Sequence, residues 1–187
     1  MTESGQDATG GPRRKDALRN HERVVAAAAE VFREHGSGAS VPQIAARARV
    51  GKATVYRSFP AKEDLLEAIT RLSLDELSQR TAPALRETDA YEAFRRYVFG
   101  LFDALARDRL LAERLADSAS PAAASILETL TARMEKAQAA GKIRADATQL
   151  DLRVLLCGAA LQLLRLAETS PVTWHRYGEM ILAALQP

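Results

Sequence analysis

The sequence predicts an all-α protein, and three features of the chain support that fold class. Among its 187 residues, 36 are Ala and 24 are Leu, whereas Val and Ile together number only 14. Ala and Leu favour helices, and β-branched residues favour strands. Apolar residues recur at helical spacing, and no stretch alternates as a half-buried strand does. We therefore expect about nine helices, with a short N-terminal helical unit followed by a C-terminal bundle.

The first three helices are predicted from apolar spacing and from helix start and stop signals. The first runs from about Asp16 to His35 and is followed by Gly36, a residue suited to a left-handed stop. The second runs from Val41 to about Ala48, because Ser40 can cap it and Gln43 occupies the capping-box position. After a break at 49–51, a third short helix covers 52–58, where Phe59-Pro60 ends it.

Six later helices are predicted from cap residues, prolines and apolar stripes. The fourth reaches Pro83 at most, and the seventh and eighth end near Gly141 and Glu168. The fifth carries an apolar stripe that includes Phe94, Val98 and Phe102. The predicted starting points are Ala61, Thr88, Arg109, Ser120-Pro121, a capping box over 146–149, and Ser170-Pro171.

Composition argues against several classes of protein. A single cysteine, Cys157, excludes an internal disulfide framework and a multi-thiolate zinc site, and His21, His35 and His175 lack the spacing of a ligand pair. We expect no metal and no cofactor. The longest uncharged run, 154–164, has 11 residues, whereas about 20 are needed to cross a bilayer. The polar start has no apolar signal region, so the sequence predicts a soluble cytoplasmic protein without membrane contact.

Charge is distributed unevenly along the chain. Residues 12–62 contain 11 Lys and Arg against 4 Asp and Glu, a net charge of +7. Residues 63–187 carry a net charge of −3, and the whole chain +2. A basic N-terminal part on a mildly acidic remainder indicates a polyanion-binding unit joined to a neutral body.

A helix-turn-helix pattern lies in this basic part. Small or apolar residues occupy the positions where two short helices would cross: Ile44, Ala45, Ala48, Val50, Val55 and Phe59. In such a motif a small residue permits the close crossing and an apolar residue in the turn fills the core beneath. Ala45 suits the crossing, and Val50 suits the turn.

The stretch VVAAAAEVFREHG…SVPQIAARARVGKATVYRSFPAKEDLLEAI resembles the DNA-binding domain of the TetR family of bacterial transcriptional regulators. The resemblance covers residues 20–69, and the ending of the chain resembles the SbtR-like subgroup. It implies a disordered basic tail over 1–15, a DNA-binding domain over 16–60, and a ligand-binding and dimerisation domain over 61–187.

The resemblance also implies roles for individual residues. The helix 52–58 would enter the major groove, and Thr54, Tyr56 and Lys62 match positions that contact phosphates or neighbouring base edges. The helix that begins at Ser40, Pro42 and Gln43 would cross the DNA backbone. Lys52, Ala53 and Arg57 are our candidates for base contacts. Arg57 is the only one of the three that can fork onto guanine O6 and N7.

Three residues depart from the family pattern. Arg49 stands where the family usually has Gly, at a turn position that often needs a positive φ. Gly51 and Ala61 each replace a Ser, which weakens helix capping. For Tyr56 and Phe59 the alternative is simple core packing, and for Arg57 it is a solvated charge. The basic run 12–15 has two interpretations, a contact with phosphates or a minor groove and a solvated run of charge.

The body contains large and polarizable side chains on several predicted helices. Each is expected in the core when considered singly, and as a set they predict an effector pocket between the fifth, seventh and eighth helices, where the family binds its effectors. The predicted lining residues are Phe94, Tyr97, Phe102, Met134, Cys157 and Gln162. Few charges interrupt the stripe, so the expected effector is predominantly apolar.

The sequence as a whole predicts a ligand-responsive transcriptional regulator that binds a double-stranded DNA operator as a homodimer. Gly158-Ala159-Ala160 permits a close helix crossing, and the resemblance places the dimer interface in the last two helices. The expected mechanism is repression relieved by a small-molecule effector. The alternatives are a constitutive DNA-binding protein and a helical-bundle enzyme. No nucleophile motif, Glu-x-x-His pair or phosphate-binding glycine loop is present, so no catalytic residue is predicted.

Overall fold

Helix-favouring composition is matched by a helical structure in a computed structural model that describes residues 11–117 and 119–187. Within these ranges the chain has nine α-helices and no strand, which confirms the all-α prediction. The helices are α1 (Gly11–His35), α2 (Val41–Ala48), α3 (Lys52–Ser58), α4 (Lys62–Thr81), α5 (Ala90–Arg107), α6 (Arg109–Ala116), α7 (Pro121–Ala139), α8 (Gln149–Arg165) and α9 (Pro171–Ala184). Short 3-10 turns over 36–38 and 82–86 follow α1 and α4.

The boundaries of α2 and α3 agree with the sequence prediction. At the start of α2 the Ser40 amide donates a hydrogen bond of 2.8 Å to Gln43 Oε1, which is the predicted capping-box contact. At its end Arg49 adopts φ 54° and ψ 47°, in the left-handed region where a residue with a Cβ is strained. The turn therefore has the left-handed conformation that favours Gly, the residue that the family usually has at this position.

Three predicted starting points were wrong by one or more residues. α1 begins at Gly11 rather than Asp16, so residues 11–15 are helical, whereas residues 1–10 of the predicted tail lie outside the described residues. Pro12 does not stop the helix because its missing N–H would be unpaired in the first turn anyway. α5 is capped by Asp89 rather than Thr88, since the Asp89 carboxylate accepts a hydrogen bond from the Glu92 amide.

The capping box of α8 also differs from the predicted one. The Thr148 amide donates to Asp151 Oδ2 at 2.8 Å, and the Asp151 amide donates to Thr148 Oγ1 at 3.3 Å. The predicted box paired residues 146 and 149. An Asp three residues after the cap can form this contact in place of the Glu or Gln of the usual motif. Asp151 therefore sets the start of α8.

The first hydrophobic core is formed by the N-terminal helices. It contains Val24 and Phe32 of α1, Ile44 of α2, Val55 of α3 and Leu65 of α4, each at most 1% exposed. Leu110 of α6, 0% exposed, belongs to the same core. We call this unit, residues 20–69 with α3 on its surface, the head. The boundary expected after residue 60 stays a prediction, although packing carries the head core into α4.

The second core lies within the remaining helices, which we call the body (residues 70–187 where described). Phe94 and Phe102 of α5 are 0% exposed, and they pack in one cluster with Met134 of α7, Leu156 of α8 and Trp174 of α9. The Trp174 ring meets Phe102 edge to face at 6.1 Å, and its Nε1 donates a 3.0 Å hydrogen bond to the Glu168 carbonyl oxygen. Trp174 therefore has both its apolar ring and its polar edge satisfied.

Head and body are joined by a buried carboxylate, Asp108, at the start of α6. Asp108 is 7% exposed, and it accepts hydrogen bonds from the Leu111 amide at 2.9 Å and from Ser73 Oγ at 2.6 Å. Arg33 of α1 approaches it at 3.8 Å and also contacts Glu76 at 2.6 Å. One side chain therefore links the C-terminal part of α1, the middle of α4 and the start of α6.

Two general properties follow from the described part of the chain. None of its helices combines the length and the apolar character that crossing a membrane requires. Across the same residues, no group of three or more His, Cys, Asp or Glu side chains is arranged to hold a metal ion.

Candidate nucleic-acid interface

The short helix α3 presents one exposed face on the surface of the head. Lys52, Ala53, Tyr56 and Arg57 are exposed, whereas Val55 on the opposite face is 1% exposed in the head core. Positions 52, 53, 56 and 57 share one side of a helix, since residues four apart lie in the same direction. Arg57 Nη2 donates a 2.7 Å hydrogen bond to Thr54 Oγ1, which orients the guanidinium along this face.

Contacts from α1 hold the end of α2 and the end of α3. Arg23 Nη2 donates to the carbonyl oxygen of Ala48 at 2.6 Å and to that of Arg49 at 3.1 Å, so it satisfies the end of α2 directly before the turn. The His21 ring stacks on Phe59 at 5.2 Å, just after α3 ends. Phe59 is thus part of the packing, while Tyr56, at 49% exposed, remains accessible. These contacts fix the angle at which α3 is presented.

The start of α2 is a second exposed part of the head. Pro42 and Gln43 are exposed and Ser40 is half-buried. Ser40 Oγ donates to Gln43 Oε1 at 2.8 Å, so the two polar side chains are held together by the capping box. The first turn of a helix presents unpaired N–H groups and the positive end of its dipole, which attract a phosphate.

Lys62, the predicted phosphate-binding lysine, is placed by the turn after α1. Its Nζ donates to the Ser37 carbonyl oxygen at 2.6 Å, while the Ser37 amide donates to Glu113 Oε2 of α6 at 2.7 Å. Gly36 precedes this peptide with φ 63°, and a Cβ there would collide with the Glu113 carboxylate. The positive φ favours glycine here, and a Cβ would displace the Glu113 carboxylate from the Ser37 amide. The Ser37 peptide thus connects Lys62 with the body.

Not every cation of the head is free for a partner. Arg47 binds Glu30 Oε2 at 2.8 Å and Glu34 Oε2 at 3.0 Å, and its hydrogen bond holds the pKa of the Glu34 carboxyl below its ordinary value. Within the described residues, Arg49 and Lys52 make no ion pair. The positive charge at the turn and on α3 is therefore available to a polyanion.

The geometry of α2, the turn and α3 matches known regulators. Residues 24–69 match the family model described as bacterial regulatory proteins, tetR family. The crystal structure of the TetR transcriptional regulator SCO0520 from Streptomyces coelicolor is 31% identical in sequence, with 89% of this chain and 98% of that chain covered and a TM-score of 0.60. The chain belongs to the TetR family. It is a DNA-binding transcriptional regulator, a class of protein that is not enzymatic.

Two further comparisons agree with this membership. A TetR regulatory protein from Mycobacterium vanbaalenii is 28% identical, with a TM-score of 0.57, and 94% of this chain and all of that chain are covered. The transcriptional activator FasR from Mycolicibacterium smegmatis is 36% identical over 104 residues, which are 53% of this chain. The match spans only 48% of FasR. The SbtR-like subgroup stays a prediction.

The residues predicted to line an effector pocket are packed in the body core of this TetR-family protein. Phe94, Phe102 and Met134 are at most 1% exposed, and Cys157 is 9% exposed. Burial raises the pKa of the Cys157 thiol, as expected for a side chain that packs rather than reacts. Five surface cavities of the described residues have linings that include none of these four side chains.

The two polar residues of the predicted pocket have different positions. Tyr97 is 5% exposed, Arg133 lies over its ring at 4.4 Å, and burial raises the pKa of its hydroxyl. Gln162 is exposed on α8 beside Leu161, so it does not face the core that contains the other five. A stripe of apolar residues has the same sequence pattern in a filled core as in a pocket.

A cavity that sequence analysis missed lies between α4, α6 and the start of α7. Its volume is about 470 Å³, and it is open to solvent. Its lining has charged side chains of both signs and an apolar part: Glu63, Glu67, Arg71, Arg114, Asp117, Thr70, Leu74, Ala119, Ser120, Pro121 and Ala122. Because these residues come from three helices, no single periodic stripe indicates them.

Proposed function

We propose that this TetR-family regulator is a dimeric repressor that leaves its operator when a small molecule binds the body. The exposed face of α3 is the observation that supports operator binding, because it combines Lys52, Arg57 and Tyr56 on a helix narrow enough for the major groove. Two such helices about one helical turn apart, roughly 34–36 Å, would contact a palindromic site.

Dimerisation is supported by an exposed apolar stripe on α8. Leu150 and Val154 are 66% and 61% exposed, Leu161 is 38% exposed, and Gly158 lies between them with open space where a Cβ would stand. On α9 Val172 and Met180 are also exposed, at 80% and 51%. Exposed apolar residues that form a continuous surface mark an interaction site, and the small residue lets a second backbone approach closely.

An effector site is supported by the cavity between α4, α6 and α7, which falls in the size range of small-molecule sites. Its charges of both signs fit an effector with a charged group on an apolar body, in place of the predominantly apolar effector that the sequence predicts. On its wall Arg114 Nη2 of α6 lies 3.1 Å from Glu63 Oε1 of α4. Glu63 directly follows Lys62, so a ligand that competes for Arg114 would act on the first turn of α4.

This arrangement gives a physical route from ligand to DNA. A ligand shifts an equilibrium only by binding one conformation better than another. If the ligand-bound state moves the first turn of α4, Lys62 leaves the Ser37 turn and the two heads change their spacing. Operator affinity then falls by the same factor by which DNA weakens ligand binding.

Blocking the cavity tests the effector site. Leu74→Trp should fill the space between α4 and α7, because Leu74 lines the cavity and is partly buried. Compounds with one charged group that raise the melting temperature of the wild type should have no effect on this variant. Leu18→Trp adds the same side chain at an exposed position of α1 and serves as control. Equal shifts in wild type and Leu74→Trp would place the effector elsewhere.

Substitution of Arg57 and substitution of Lys62 should weaken DNA binding in different ways. Arg57→Ala should cost about 1–3 kcal/mol and relax the preference at one base pair, because a forked contact to guanine is lost. Lys62→Ala should weaken binding to all sequences alike and lower the salt slope by about 1, because a phosphate contact is lost. Binding to a library of single-base operator variants at several salt concentrations measures both. An unchanged base preference in Arg57→Ala would contradict its assignment.

Selection of bound sequences from random duplex DNA by the purified full-length protein tests the function as a whole. We expect enrichment of a palindrome with two equal half-sites. A reporter gene controlled by that site should be expressed more strongly when the regulator is absent. Lower expression in its absence would instead make the protein an activator, which is the function named for FasR. Failure to enrich any sequence would refute operator binding.

A further inference from the structure

The N-terminal part of α1 extends beyond the head, and its residues 15–19 are exposed. The helix starts at Gly11, but its first core residue is Val24. Residues 15–19 are exposed in succession, including Leu18 at 59%. At 1.5 Å per residue, the ten residues 11–20 extend about 15 Å. Among the described residues, 15–19 belong to neither hydrophobic core.

The direction of the extension follows from what each end of α1 contacts. Near its C-terminal end, Arg33 binds Glu76 and approaches Asp108 of the body. Towards its N-terminal end, His21 stacks on Phe59 beside α3, and Arg23 binds the carbonyl oxygens at the end of α2. α1 therefore runs from the body to the helix-turn-helix, and its free end points away from the body on the side of α3.

The exposed face of the extension is basic. Lys15, Arg19 and Arg23 lie four residues apart and so form one stripe that leads to the turn between α2 and α3. Arg19 is 4.0 Å from Asp16, and both side chains are about 70% exposed. An ion pair that exposed holds its partners weakly. The sequence immediately before the stripe, Pro12-Arg13-Arg14, adds further positive charge.

We propose that the extension is a second DNA contact, in which Lys15 and Arg19 bind backbone phosphates outside the half-site contacted by α3. This inference rests on the operator binding proposed above. Two lysine or arginine side chains on a protruding helix can follow a phosphate backbone without any base contact. The extension would then add affinity that depends on salt and on the length of the duplex, but not on sequence.

The double variant Lys15→Ala/Arg19→Ala tests this proposal in the full-length protein with the selected operator. Each lost phosphate contact lowers the slope of log K against log salt by about 0.9, so the slope should fall by about 2 per chain. Base preference should stay that of the wild type. Arg80→Ala/Lys136→Ala removes two exposed cations from the body and should leave the slope unchanged.

Duplex length supplies a second and independent readout. On an operator with ten flanking base pairs on each side the double variant should bind more weakly than the wild type. On a duplex that ends at the outermost selected base pair the two proteins should bind equally. An unchanged slope, or an equal loss on both duplexes, would overturn the proposal while wild-type operator binding remained intact. Binding of wild type but not the double variant to phosphatidylserine vesicles, with an unchanged DNA slope, would also overturn it.

Discussion

Val154→Glu is expected to convert the proposed dimer to a monomer and to weaken operator binding by about 10²- to 10⁴-fold. Val154 is 61% exposed in the middle of the apolar stripe on α8, next to the open space at Gly158. A carboxylate there would have to be desolvated in the interface without a partner, which is strongly unfavourable. A dimer places its second head at a high effective concentration over the second half-site, and a monomer loses that gain of about 10²–10⁴.

Sedimentation at micromolar concentration measures the first effect, and titration of the palindromic operator the second. Ala124→Glu introduces the same charge at an exposed position of α7 and should leave both unchanged. A dimeric Val154→Glu protein would show that the interface lies elsewhere. A monomeric variant with undiminished operator affinity would show that the heads bind independently.

Asp108→Ala should lower the free energy of unfolding by about 2–4 kcal/mol. The carboxylate caps α6 through the Leu111 amide and accepts from Ser73 Oγ in a site that is 7% exposed. Loss of a cap costs about 0.5–2 kcal/mol, and loss of a buried hydrogen bond to a charged group about 1.5–3 kcal/mol. The variant also leaves Arg33 with Glu76 as its remaining partner. Denaturant unfolding followed by circular dichroism measures the difference.

Asp103→Ala is the matched control for this measurement. Asp103 is on α5 with its side chain 41% exposed, and it faces Arg107 at 3.7 Å. A surface ion pair of this kind contributes little, so the change should stay within about 0.5 kcal/mol. If both variants lost the same stability, Asp108 would be an ordinary surface residue and not the junction of three helices.

The sequence predicted the helix-turn-helix well because its signals are local. Ser40 with Gln43 sets the start of α2, and Phe59-Pro60 sets the end of α3, so each boundary depends on a few neighbouring residues. At Arg49 the sequence left two alternatives, a different turn or strain at this residue, and the structure places it at φ 54°. The start of α1 and the caps of α5 and α8 differ from the predicted positions. At α5 and α8, neighbouring residues are chemically equivalent as caps.

The body could not be predicted to the same depth. Phe94, Phe102 and Met134 form an apolar pattern that is equally compatible with a pocket and with a packed core, and the structure buries all three. The contacts that join head and body, such as Glu113 with the Ser37 amide, connect residues 76 positions apart. The periodicity of apolar residues along the sequence does not indicate such a pair. The DNA-contacting roles of the α3 residues and the effector site stay predictions.

The position of Leu110 affects how the molecule unfolds. It lies on a helix of the body but completes the hydrophobic core of the head. A fragment cut after residue 69 would expose the apolar site that Leu110 fills, and a buried Leu contributes about 1.5–3 kcal/mol. The head therefore draws part of its stability from the body, and melting of α6 would loosen it as well. The DNA-binding surface thus shares part of its cooperativity with the body.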